Sequence, residues 1–134
     1  RRMAAERRDV LAGLDRVFLV APSSTDQRIE AVAAVTSGFL YAASTMGVTG
    51  ARTQVSSAAP GLVRRARALT DLPIAVGLGV STGDQASEVA AYADGVIVGS
   101  AFVRRILQAP DHESARAGVR ELAAELAEGV RRHP

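Results

Sequence analysis

Gly95-Val96-Ile97-Val98-Gly99-Ser100-Ala101 is the stretch on which the fold turns. Three β-branched residues run straight into a glycine, and a short helix is predicted from there to just before Pro110. A brief apolar run bounded by turn residues reads as a strand buried on both faces. A strand that passes through glycine directly into a helix is the repeating unit of a parallel α/β sheet.

The same pattern recurs upstream. Ile74-Ala75-Val76-Gly77 reads as a strand, followed by Leu78-Gly79-Val80-Ser81 and a helix from about Gly83 to Ala93. Phe39 to Ser44 reads as another, followed by a loop over Thr45 to Ser57 that carries Gly47 and Gly50. Pro60, a favoured first-turn residue, then opens a helix to about Leu69. Arg16 to Ala21 reads as the first strand, closed by Pro22-Ser23-Ser24. Ser24 to Gln27 matches a capping box, and a helix from Thr25 to about Val35 is predicted, with Ile29, Val32, Ala33 and Thr36 at helical spacing. The last helix, about Glu113 to Val130, carries a stripe of Val119, Leu122, Ala123, Leu126 and Val130.

Strands beginning near residues 17, 39, 74 and 96 make four βα units. Right-handed crossovers then give one parallel sheet. No linker or low-complexity tract divides the chain, so residues 1–134 are expected to form a single unit. That is an ordinary domain length, yet about half of the ~250 residues of a closed eight-fold α/β barrel. The chain opens on Arg1 rather than Met, which points to truncation or processing.

Composition narrows the chemistry. There is no Cys, which removes disulfides, thiolate metal sites and Cys nucleophiles. There is no Lys, which removes Schiff-base chemistry and a P-loop lysine. His112 and His133 lie near the tail and offer no His-based metal site or Ser-His-Asp triad. All sixteen basic residues are Arg, against fourteen acids, for a net charge of +2. The Arg pairs are scattered among acids and the aromatics total five, so nucleic-acid binding is not expected. No run reaches the ~18 apolar residues of a membrane span. No secretory signal is visible either, and a cytoplasmic protein is the default expectation.

In parallel α/β folds, ligands meet the carboxyl ends of the strands. Three of the four strand ends carry glycine here: Gly47 and Gly50, then Gly77 and Gly79, then Gly99 before Ser100. Glycine lets a backbone N–H approach an anion with no Cβ in the way. Ser100 adds a hydroxyl donor, and the helix from Gly99 directs its amides and partial positive charge at the same point. Such a phosphate site needs neither Lys nor metal. A dinucleotide fingerprint fails on spacing, since Gly83 lies four residues past Gly79 where three are required. Tyr41, inside a strand, packs in the core or contacts substrate. Asp94 precedes the fourth strand, at the end away from catalysis, and Asp26, Asp71 and Asp84 read as caps or turns.

Taken in order, these motifs resemble the tryptophan synthase alpha chain family. Val17 to Ser24 resembles its fifth strand, and Tyr41 to Arg52 its sixth strand and flexible loop. Ile74 to Val80 resembles the seventh strand and turn, and Ala93 to Ala101 the eighth strand and phosphate helix. The resemblance implies a TIM (β/α)8 barrel, of which this chain holds about four βα units plus a C-terminal helix. It implies a lyase of tryptophan biosynthesis that splits indole-3-glycerol phosphate into indole and glyceraldehyde 3-phosphate. The alpha chain uses no cofactor. Its beta-chain partner, in an alpha2-beta2 type complex, would carry pyridoxal phosphate.

By resemblance, the substrate phosphate is held at Gly50, at Gly77, Leu78 and Gly79, and at Gly99 and Ser100. Tyr41 would line the substrate pocket. Thr49 matches the loop threonine that closes onto a catalytic aspartate. The family's acid–base glutamate and that aspartate belong to the first half of the barrel, so no catalytic residue is expected in this chain. A non-catalytic phosphate-binding or assembly module is the alternative. Indole-glycerol phosphate synthase, another phosphate-binding barrel, is disfavoured because it needs a Lys. A half-barrel leaves two unpaired strand edges. A longer chain, a partner half or edge-to-edge self-association is therefore expected.

Overall fold

A computed structural model describes residues 13–44, 58–77 and 79–132. Nine elements alternate along these stretches: β1 (Leu19–Val20), α1 (Asp26–Val35), β2 (Leu40–Ala43), α2 (Ala58–Arg67), β3 (Ile74–Gly77), α3 (Gly83–Ala90), β4 (Gly95–Ile97), α4 (Ser100–Gln108) and α5 (His112–Arg131). The strands form one sheet in the order β1-β2-β3-β4, and every neighbouring pair is parallel. A parallel sheet built in chain order, with a helix in each crossover, is the expected βα repeat.

Register divides the sheet into two unlike faces. Val20, Ala42, Val76 and Val96 stand side by side, with Leu40 beside Ile74. All but Val96 are buried on this helix-covered face. Ile29 of α1, Leu62 and Val63 of α2, Val89 of α3 and Leu122 of α5 complete the core against it. Burying an aliphatic side chain of this kind contributes roughly 1.5–3 kcal/mol, so this one face supplies most of the drive to fold. On the other face Leu19, Tyr41, Ala75 and Gly95 are in register, as are Ala43, Gly77 and Ile97. That face is apolar but no helix among the described residues covers it. Leu19 is 59% exposed, and the rest are half-buried.

Several boundaries differ from the sequence reading. The first strand contracts to Leu19–Val20, because it pairs on one side only. Arg16 still holds the entry to β2: its carbonyl accepts from Ser37 N at 2.9 Å, and its N–H donates to Ser37 Oγ at 2.8 Å. The cap of α1 is Thr25, whose Oγ1 accepts from Arg28 N at 3.2 Å. Ser24 closes the preceding turn instead, its Oγ accepting from Ala21 N at 3.0 Å. The predicted capping box at Ser24–Gln27 is therefore replaced by a cap one residue later. Helix α5 starts at His112 because Asp111 caps it, accepting from Ser114 N at 2.7 Å.

The stripe predicted for α5 is also turned. Leu122, Leu126 and Gly129 are buried, while Ala123 and Val130 are exposed. Gly129 decides this, since a Cβ there would lie 2.8 Å from Gly83 Cα and C. The last turns of α5 press onto the first turn of α3, backbone on backbone. Arg132 at the end of α5 then reaches Asp84 at 2.9 Å. Among the described residues no helix is long and apolar enough to cross a membrane.

Candidate functional site at the carboxyl ends of the strands

Tyr41 lies on the uncovered face of β2 with its ring over Gly77. A Cβ at position 77 would come within 2.8 Å of the ring carbons Cε1 and Cζ. Gly77 thus serves packing directly, whatever else it does. At the end of β2, Ser44 N donates to Gly77 O at 3.0 Å, which ties the ends of β2 and β3 together. Ser44 is 4% exposed, and its Oγ has no hydrogen-bond partner among the described residues.

Beyond β3, Gly79 is exposed and adopts φ +81°. This left-handed backbone disfavours any residue with a Cβ. Val80, 2% exposed, anchors the chain immediately afterwards. Gln85 Oε1 then accepts from Ser81 N at 2.8 Å and from Ser81 Oγ at 3.2 Å. Thr82 caps α3 by accepting from Gln85 N at 3.2 Å. Thr82-x-x-Gln85 is the spacing of a capping box, here with the glutamine reaching one residue further back, to Ser81.

After the neighbouring strand, Gly99 is the N-cap of α4, at φ −129° and ψ −72°, and no side chain among the described residues caps that helix. Gly99 O accepts from Phe102 N and Val103 N at 3.0 and 3.2 Å. The amides ahead of these, on Ser100 and Ala101, belong to the first turn, where a helix provides no internal acceptor. A Cβ at Gly99 would meet nothing within 4 Å among the described residues, so packing against them does not demand glycine here. Ser100 is exposed beside it. Gly79 and Gly99 thus follow adjacent strands, and α4 begins at exposed Ser100 with Ala101 buried behind it. Uncapped helical amides together with the positive end of the helix dipole favour an anion.

Thr49, Gly50 and Leu78 lie outside the described residues. Tyr41, Gly77, Gly79, Gly99 and Ser100 all fall at or just beyond the carboxyl ends of β2, β3 and β4. Ser44, Ser81 and Gln85 escaped the sequence reading. The one signal for them was Thr82-x-x-Gln85, a better capping box than the Ser24-x-x-Gln27 it was sought in.

The acids in the first turns of α1 and α3 are already engaged. Asp26 pairs with Arg65 at 2.8 Å and Asp84 with Arg132 at 2.9 Å. Asp94, before β4, accepts from Ile74 N at 2.9 Å and from Arg67 Nη1 at 3.0 Å. The Ile74 amide is the main reason its carboxyl is held below the usual range, burial opposes this, and Arg67 adds to the lowering. At the amino end of the sheet this is a structural clasp.

Comparison with known proteins agrees with the architecture. The sequence model of the tryptophan synthase alpha chain family matches residues 5–131. The tryptophan synthase alpha chain of Streptomyces coelicolor is 63% identical over 119 residues, which is 89% of this chain and 44% of that protein. A Mycobacterium tuberculosis tryptophan synthase structure in space group F222 superposes with a TM-score of 0.78 at 50% identity, over 97% of this chain and 47% of that one. The tryptophan synthase a2b2 complex of Pyrococcus furiosus gives 0.76 at 34% identity, over 95% and 49%. The chain spans about half the length of the relatives it matches. Its four parallel βα units are part of a TIM barrel, and the chain belongs to the tryptophan synthase alpha chain family.

Proposed function

We propose that this chain forms the phosphate-binding wall of a tryptophan synthase alpha-type lyase that cleaves indole-3-glycerol phosphate to indole and glyceraldehyde 3-phosphate. The observation that carries the reading is the pair of exposed glycines, Gly79 and Gly99, following adjacent strands beside the uncapped start of α4. Backbone amides of Gly79, Ser100 and Ala101, with the Ser100 hydroxyl, hold the phosphate. Gly50 and Leu78 contribute by family resemblance, Thr49 corresponds by the same resemblance to the loop threonine that closes onto a catalytic aspartate, and Tyr41 faces the organic part of the substrate. Gly77 supports Tyr41 from below.

The cleavage breaks a carbon–carbon bond, protonates the indole ring carbon and takes a proton from the glycerol hydroxyl. Positioned carboxylates do such work, and in this reading they come from outside the chain. No cofactor of its own is required, and pyridoxal phosphate belongs to a beta-chain partner docked as in an a2b2 complex. A cytoplasmic location accompanies this role. Titrating the isotope-labelled chain with glycerol phosphate should shift the Gly79, Gly99 and Ser100 amides. Unmoved amides would overturn the site.

A second reading is favoured by the acids themselves. Asp26 and Asp84 are ion-paired, and Asp94 is at the far end of the sheet. The chain then binds phosphate or assembles with a partner without catalysing. Indole release by the purified chain would exclude this reading.

A further inference from the structure

We propose that Gln85 is a positioning residue for the phosphate site, holding the backbone that follows Gly79 so that the Gly79 amide is presented in one fixed direction. The inference rests on the phosphate reading above and deepens it by naming the group that sets the geometry.

Gln85 is 6% exposed, one of few buried polar side chains among the described residues. It stands in the first turn of α3, and its carbonyl oxygen takes both donors of Ser81, the N–H at 2.8 Å and the hydroxyl at 3.2 Å. Its own backbone N–H donates to Thr82 Oγ1 at 3.2 Å, so the side chain and backbone of one residue fix two consecutive loop positions. On the strand side, Gly77 O is held by Ser44 N at 3.0 Å. Gly79 lies between these fixed points, exposed, at φ +81°, where glycine has the widest conformational freedom. The hold on Ser81 adds to the burial of Val80 in limiting how the turn rotates. Backbone donors bind an anion well when they are held in place beforehand, because otherwise each binding event must order them. Gln85 touches no ligand in this scheme; it acts through Ser81 and Val80 on Gly79.

The test titrates the isotope-labelled chain with inorganic phosphate and follows the Gly79, Gly99 and Ser100 amides. Gln85→Met keeps the length of the side chain and removes the acceptor. It should weaken phosphate binding roughly tenfold, the scale of losing a supporting hydrogen bond behind a ligand site. It should also move the Gly79 and Ser81 amide signals before any phosphate is added. Ser81→Ala deletes only the 3.2 Å bond and should weaken binding about two- to threefold; it decides the matter if Gln85→Met does not fold. Ile29→Ala, a core variant on α1 at the other end of the sheet, controls for mere destabilisation. It should lower the unfolding temperature yet bind phosphate as the parent does, at a temperature where both are folded. Parental affinity in Gln85→Met and Ser81→Ala overturns the inference and leaves the phosphate site standing. No phosphate-dependent shift in the parent chain overturns the site, and the inference with it.

Discussion

At Gly77 a hydrogen stands where any other residue would drive a Cβ into the Tyr41 ring, 2.8 Å from Cε1 and Cζ. Gly77→Ala should therefore destabilise the chain by about 1–3 kcal/mol through overpacking, measured by urea unfolding. In a Tyr41→Ala background the penalty should largely vanish, and an undiminished penalty in that cycle would refute the contact as its cause. Asp94 makes a second argument at this scale. Its folded carboxyl is held below the ordinary 3.8, chiefly by the Ile74 amide. Because the folded value is the lower one, the clasp stabilises fully above pH about 4 and is lost as pH falls through the folded value. Thermal midpoints measured from pH 6 downward should fall more steeply for the parent than for Asp94→Asn. Parallel curves would show that the clasp contributes nothing.

Between elements, the tightest crossing is that of α3 and α5, where Gly83 and Gly129 let two backbones touch. Small residues at a helix crossing permit this approach, and a single methyl group at 129 would have to push the helices apart. Gly129→Ala should lower stability by about 1–3 kcal/mol, despite alanine's better helix propensity. A stabilised Gly129→Ala would mean the crossing is loose. Caps carry the other element-scale consequence. Thr25→Ala should lose about 1 kcal/mol by leaving Arg28 N uncapped. Gln27→Ala should be near neutral, because Gln27 is exposed and the cap is Thr25. Equal losses at the two positions would restore the capping box to Ser24.

For the molecule as a whole, the sheet has one face made into a core and one left apolar and uncovered by the described residues. Among the described residues, strands β1 and β4 each pair on one side only. Phe18 and Leu19 on the first edge are 42% and 59% exposed. Beside β4 runs an apolar groove lined by Val96, Val98, Phe102 and Leu126. Unpaired edges with exposed apolar side chains favour association. Leu19→Lys puts a charge on one edge and should reduce concentration-dependent association in sedimentation velocity. It should change stability by no more than about 0.5 kcal/mol, as for other exposed positions. Unchanged association would place the contact elsewhere.

The alternation of short apolar runs with helical spacing was enough to read four βα units, the parallel sheet and the glycine turns after β3 and β4; Gly47 and Gly50 lie outside the described residues. Hydrophobic period and turn residues are local properties, and those elements follow from them. Family resemblance likewise rests on the order of motifs such as Gly77-x-Gly79 and Gly99-Ser100. The partners of each group needed the tertiary structure. Nothing local distinguishes Thr25 from Ser24 as a cap, since both are hydroxyl residues beside a helix start. The buried face of α5 turned on a glycine, which carries no hydrophobic signal, because its value lies in what another backbone needs from it. The spacing of Gln85 does not show that folding brings Ser81 against its carbonyl. Sequence set which segments are strands and helices and where glycine frees the backbone. Tertiary structure decided which atoms meet, because contact depends on directions in space that no one-dimensional spacing contains.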